Sequence, residues 1–179
     1  MNRIIILILI VFLFVSCEKN EEDQLTSLGF ELTSSEIGDD QLLPTEYTCD
    51  GKSSTLPLNW SGVPEGTTCF ALVMHHEVSD DDIHWYWIVY NISGDITSID
   101  KNETGFGRLG TNSVNGLTEY SSPCSQGPGE KAYTYTLYAL SEYLEISIPE
   151  EVSLEILLNE MDGLIIVSCE LYVYYSREF

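Results

Sequence analysis

All three histidines of the chain fall in one stretch, "CFALVMHHEVSDDDIHWYWIVYNI", residues 69–92. His75, His76 and His84 stand there with Glu77, Asp80, Asp81 and Asp82 between them. Imidazoles and carboxylates at this density are the raw material of a metal centre or of general acid–base chemistry. The spacing argues against a metal. Successive side chains of a strand point to opposite faces, so the adjacent His75 and His76 do not readily hold one ion. Asp80, Asp81 and Asp82 form a run of like charge that reads as a solvated turn, because a calcium loop needs a longer ordered pattern of oxygen ligands. No G-x-S-x-G elbow accompanies the histidines, and no two cysteines stand as C-x-x-C. The expectation is therefore a protein without metal or cofactor, and not an enzyme.

The elements that must position these residues are mostly strands. "CFALVM", "HWYWIVYNI", "AYTYTLYAL" and "LIIVSCELYVYY" are rich in β-branched and aromatic residues. Turn-forming stretches separate them: "CDGKSS", "SGVPEG", "SGD", "GFGRLGTNSVNG" and "SSPCSQGPGE". One helix is legible in "PEEVSLEILLNEMDG". Leu154, Leu157, Leu158 and Met161 recur at helical spacing, with Ser153 placed to cap the start and Gly163 the end. This predicts a helix over 153–162 in a mostly antiparallel β protein. Residues 100–130 are poor in regular structure, and loops of that length in a compact domain usually carry function.

The formal charge is −22. It speaks against nucleic acid as a partner, since such binding needs a basic footprint. It also disfavours direct contact with an anionic membrane. The N-terminus reads as an export signal: Arg3, then an apolar run from Ile4 to Val15 too short to span a bilayer comfortably. Its end, Val15-Ser16-Cys17, resembles a bacterial lipobox. That resemblance makes 1–16 a signal peptide, Cys17 the lipidated first mature residue, 17–27 a solvated tether and 28–179 a single domain. The protein would then sit in the bacterial cell envelope, held at the membrane by its lipid alone. Cys49, Cys69, Cys124 and Cys169 remain, an even number that favours disulfides in an exported chain and permits three pairings.

The order of motifs carries a further resemblance. "YTCDGKSSTLPLNWSGVPEGTTCFALVM", "WIVYNI", "GTNSVNGLTEYSSPC", "YTYTLYAL" and "LEILLNEMDGLIIVSCELYVYY" together resemble the phosphatidylethanolamine-binding protein family, in its bacterial Raf-kinase-inhibitor-like branch. The match runs over residues 28 to 176. It implies a central antiparallel sheet, a second smaller sheet and a helix in the C-terminal region. It also implies a pocket for phosphate-like anions and phospholipid headgroups.

The pocket's usual residues are altered here. The two aspartates of the family's D-P-D fall on His76 and Val78, and the histidine of its H-W pair on Tyr86. The G-P-C-P-P loop has become Ser122-Pro123-Cys124-Ser125-Gln126. The histidine before R-Y is Lys131, and the Gly-His after the helix is Gly163-Leu164. His84 shares a strand face with Tyr86 and stands in for the lost histidine. The resemblance thus implies a site of His76, His84, Tyr86, Tyr120, Pro123 and Lys131, with Lys131 supplying fixed positive charge for an anion. It also implies a Cys49–Cys124 bond beside the pocket, which leaves Cys69 and Cys169 to pair. The rival expectation is a surface interaction or inhibitor module with a protein partner, in which the pocket has decayed.

Overall fold

The computed structural model describes residues 29–79, 82–125, 129–148 and 151–177. Cys17, the tether, Asp80, Asp81 and Gln126 lie outside them. The strand-rich stretches form β1 (Glu31–Thr33), β2 (Gln41–Leu42), β3 (Leu58–Ser61), β4 (Cys69–Ser79), β5 (Asp82–Ser93), β6 (Ser98–Ile99), β7 (Arg108–Leu109), β8 (Lys131–Leu140) and β9 (Ile165–Tyr175). They build the two expected sheets: six strands in the order β2-β9-β8-β4-β5-β7 and three in the order β1-β3-β6. The ladders are antiparallel except at one edge, where β2 runs parallel to β9. A helix, α1 (Leu154–Met161), falls where the leucine spacing puts it. The Ser153 hydroxyl accepts from the Ile156 N–H at 3.3 Å, relieving one unpaired amide of the first turn. Leu154, Leu157 and Met161 are buried, whereas Leu158 sits at the rim of that stripe and is 42% exposed.

Two cores flank the large sheet. Phe70, Leu72, Met74, Leu137 and Leu171 face the small sheet, with Leu32, Leu58 and Trp60 opposite them. Ala71, Val73, Ile88 and Tyr90 face α1. β4 is thus covered on both sides, which is why "CFALVM" reads as an unbroken apolar run rather than an alternating one.

Cys49 and Cys124 form a disulfide, with Cα atoms 5.2 Å apart. The expected Cys69–Cys169 bond is absent; both residues are free thiols. Register explains this. Cys69 on β4 faces Leu140 of β8, while Cys169 on β9 faces Leu137 on the other side of β8. A whole strand lies between them, which means about 10 Å, beyond the roughly 7 Å limit for bridging Cα atoms. Cys69 also belongs to the core under α1, whereas Cys169 packs against the core on the opposite face.

The β4–β5 ladder shifts register at three points, and the middle one bears on the site. Met74 pairs with Trp87 and His75 with Trp85, so Tyr86 is an extra residue in β5, a β-bulge. Trp85 and Ile88 face the α1 side, but Tyr86 and Trp87 both face the other.

Candidate functional site

β4, β5 and β8 converge on a cleft of about 330 Å³. Its walls include His76 and Val78 from β4, His84 and Tyr86 from β5, and Lys131 and Tyr133 from β8. Four of the six expected residues therefore meet here: His76, His84, Tyr86 and Lys131. His75 points to the opposite face of β4, into a separate depression with Glu77, Thr136 and Glu170.

The hydrogen bonding of each side chain sets what it can offer. The β4–β8 ladder runs out at His75 and Thr134. Beyond it, the Ala132 carbonyl bonds the His76 ring, Nδ1 to oxygen, at 2.7 Å. A carbonyl only accepts, so Nδ1 carries a proton, and in the neutral ring Nε2 is an acceptor. His76 can therefore donate to an anion from Nε2 only after protonation. His84 Nε2 lies 3.3 Å from the Asp82 carboxylate, which competes with any bound anion. The Tyr86 and Tyr133 rings meet edge to face at 5.3 Å, and their side chains are hydrogen-bonded. Burial pushes both phenols above their ordinary range, so they remain uncharged donors. Tyr133 also lies against the His76 ring at 5.3 Å.

The loop after β7 closes the cleft. Trp85 holds it: its N–H donates to Ser113 Oγ at 2.9 Å, its indole N–H donates to the Thr111 carbonyl at 2.7 Å, and its carbonyl accepts the Ser113 N–H at 2.9 Å. Buried Asn112 stiffens the loop, donating to the Leu117 and Glu119 carbonyls and accepting from the Val114 and Asn115 amides. Ser113 and Val114 consequently join the cleft wall.

Cys124 and Ser125 complete the wall. The Cys49 N–H donates to the Pro123 carbonyl at 3.0 Å beside the disulfide, tying the two loops together twice. Pro123 itself is buried and is not among the residues lining the cleft. Arg177 clamps the neighbouring Asp50, Nε and Nη2 donating at 2.7 and 2.6 Å, and the Tyr175 hydroxyl adds a third bond. Tyr175 and Arg177 hold the Asp50 carboxyl below its usual range.

Tyr120 lines a second cavity, of about 310 Å³, with Trp87, Phe106 and Leu109. The bulge separates the two: Tyr86 faces the first cleft and Trp87 the second. The Tyr86 carbonyl accepts the Ser121 N–H at 2.8 Å, which lays Tyr120 over Trp87. Sequence reasoning missed Tyr133 and Ser113 as walls of the cleft. Strand alternation from Lys131 was a usable signal for Tyr133; for Ser113, whose place depends on the Asn112 loop, there was none.

Against known proteins, residues 33–176 match the family model for phosphatidylethanolamine-binding protein. A UPF0098 protein of Methanothermobacter thermautotrophicus is 31% identical over 140 residues, covering 75% of this chain and 91% of that protein. A UPF0098 protein of Chlamydia trachomatis is 30% identical over 153 residues, covering 83% and 99%. Among solved structures, a phosphatidylethanolamine-binding protein homologue from Chlamydia trachomatis matches with a TM-score of 0.77 at 30% identity, covering 84% of this chain and 99% of that one. YbcL of Escherichia coli matches with a TM-score of 0.75 at 24% identity and the same coverage, a likeness of fold alone.

Proposed function

Because this chain belongs to the phosphatidylethanolamine-binding protein family, we propose that the cleft between His76, His84, Tyr86 and Lys131 binds a small phosphate-type anion, free or as a phospholipid headgroup, without chemical turnover. The observation that carries this reading is convergence: an ammonium, a phenol and two protonatable imidazoles line one cleft. An anion needs about three donors in a site dry enough to strengthen each of them. Two of the three thiol and aliphatic hydroxyl groups on the cleft wall are engaged: Cys124 is held in a disulfide, and the Ser113 hydroxyl is bonded on both sides by the Trp85 backbone. The third, the buried Ser125 hydroxyl, has no hydrogen-bond partner among the described residues and is left to donate to the anion.

One observation favours the interaction module. Val78 and Val114 line the cleft yet are 54% and 50% exposed, and Leu117 of the same loop is 54% exposed. Apolar side chains at a rim suit a protein partner.

An NMR titration with inorganic phosphate and phosphoethanolamine separates the two. On the anion reading, either ligand shifts the resonances of His76, Tyr86 and Lys131, and Lys131→Ala weakens binding about tenfold or more. The titration is run at about pH 7.5 and at about pH 5.5, since an imidazolium at His76 would carry the Nε2 donor that the neutral ring lacks. Asp82→Asn strengthens binding by freeing His84. No shifts at millimolar ligand at either pH would leave the interaction module as the better reading.

A further inference from the structure

We propose that the second cavity is a binding site for a small organic cation, an alkylammonium or quaternary ammonium group. It is formed by Trp87, Phe106 and Tyr120, with Glu103 and Glu119 also contributing to its walls. Its volume of about 310 Å³ lies at the low end for ligand sites.

The three rings form a corner rather than a stack. Trp87 meets Phe106 at 6.1 Å and 87°, and Tyr120 at 5.3 Å and 73°. Aromatic faces carry negative quadrupole density, and faces set at right angles surround a cation better than parallel ones. Burial pushes the Tyr120 phenol above its ordinary range, so that ring stays neutral.

The corner is built by the chain, not left by loose packing. Phe106 stands between Gly105, at φ 82°, and Gly107. A Cβ on Gly107 would meet Val89 Cγ1 at 2.7 Å, so only glycine lets this loop lie flush on β5 and present Phe106 beside Trp87. Asn102 and Thr55 lock the floor: Asn102 Oδ1 accepts the Thr55 N–H at 2.9 Å, and the Asn102 N–H donates to Thr55 Oγ1 at 2.8 Å.

The carboxylates decide for a cation over a neutral apolar guest. Glu103 Oε2 accepts the Asp100 N–H at 2.6 Å, and Glu119 Oε1 accepts from Asn115 Nδ2 at 3.0 Å. Each carboxylate is thereby oriented by one oxygen. Nearby Lys101 pairs instead with Glu46, at 3.3 Å. The chain's charge of −22 draws cations toward any such site.

The test uses the full chain and two probes of matching shape, choline and its neutral carbon isostere 3,3-dimethylbutan-1-ol, followed by NMR at the Trp87 indole and the Phe106 ring. The expected result is saturable shifts with choline, and binding of the isostere about tenfold weaker or worse. Glu103→Gln with Glu119→Gln reduces choline affinity several-fold and leaves the isostere unchanged. These side chains are exposed, so the fold tolerates the change. Phe106→Leu weakens choline with the circular dichroism spectrum intact, and Lys131→Ala leaves it unaltered. Equal affinity for both probes, shifts confined to the His76–Lys131 cleft, or no shifts at millimolar choline would each overturn the proposal.

Discussion

Adjacent histidines on β4 have opposite fates. His76 faces the anion cleft. His75 faces away and is half-buried, and desolvation lowers its pKa despite the partly offsetting charges of Glu77, at 3.6 Å, and Glu170. The sign of the stability effect comes from proton counts. The unfolded chain protonates His75 near the ordinary 6.5, and the folded chain resists until lower pH. Between those values the unfolded state binds more protons, so stability present above 6.5 is lost as pH falls. His75→Gln is expected to flatten the fall in urea midpoint below 6.5 relative to wild type. Parallel pH profiles would show that His75 carries none of this dependence. The meeting of His76, Tyr86 and Lys131 could be read from aligned motifs, because each sits at a fixed count from a recognisable strand. The hydrogen bond from His76 to Ala132 could not, since it depends on where the β4–β8 ladder runs out.

Strands and helix were legible because their signals are local: β-branched runs for β4, β5, β8 and β9, and leucine spacing with a serine cap for α1. What failed was long-range register. Cysteine count suggested two bonds, but only the strand order shows that β8 separates Cys69 from Cys169. Their thiols are the mark of that arrangement, raised by burial to about 11 and about 12. Peptide mapping without reductant is expected to recover the Cys49–Cys124 link, with Cys69 and Cys169 alkylated only after unfolding. The bond spans 75 residues. Replacing both partners by serine should lower stability by about 2–5 kcal/mol. The Asp50–Arg177 clamp and the Cys49–Pro123 bond persist and favour the low end. Calorimetry checks this; an unchanged midpoint would mean those contacts alone hold the loops.

At the scale of the molecule, a charge of −22 opposes the anion cleft and assists the aromatic cavity. Both sites would work at a membrane if Cys17 is the lipid anchor that its lipobox resemblance suggests. Labelled fatty acid should then enter the wild type but not Cys17→Ala; absence of label in the wild type would remove the anchor from the account. The extra residue at Tyr86 in β5 has a consequence for how the two sites behave together. Tyr86 and Trp87 share a peptide bond yet wall different cavities. Occupancy of one that shifts this unit would alter affinity at the other, and such coupling is reciprocal: the factor by which phosphate changes choline affinity must equal the factor by which choline changes phosphate affinity. Deleting Tyr86 would remove this bulge and leave Trp85, Trp87 and Ile88 alternating on the faces they already occupy, so Trp87 would keep its cavity while the shared peptide unit, and with it the linkage, would be lost.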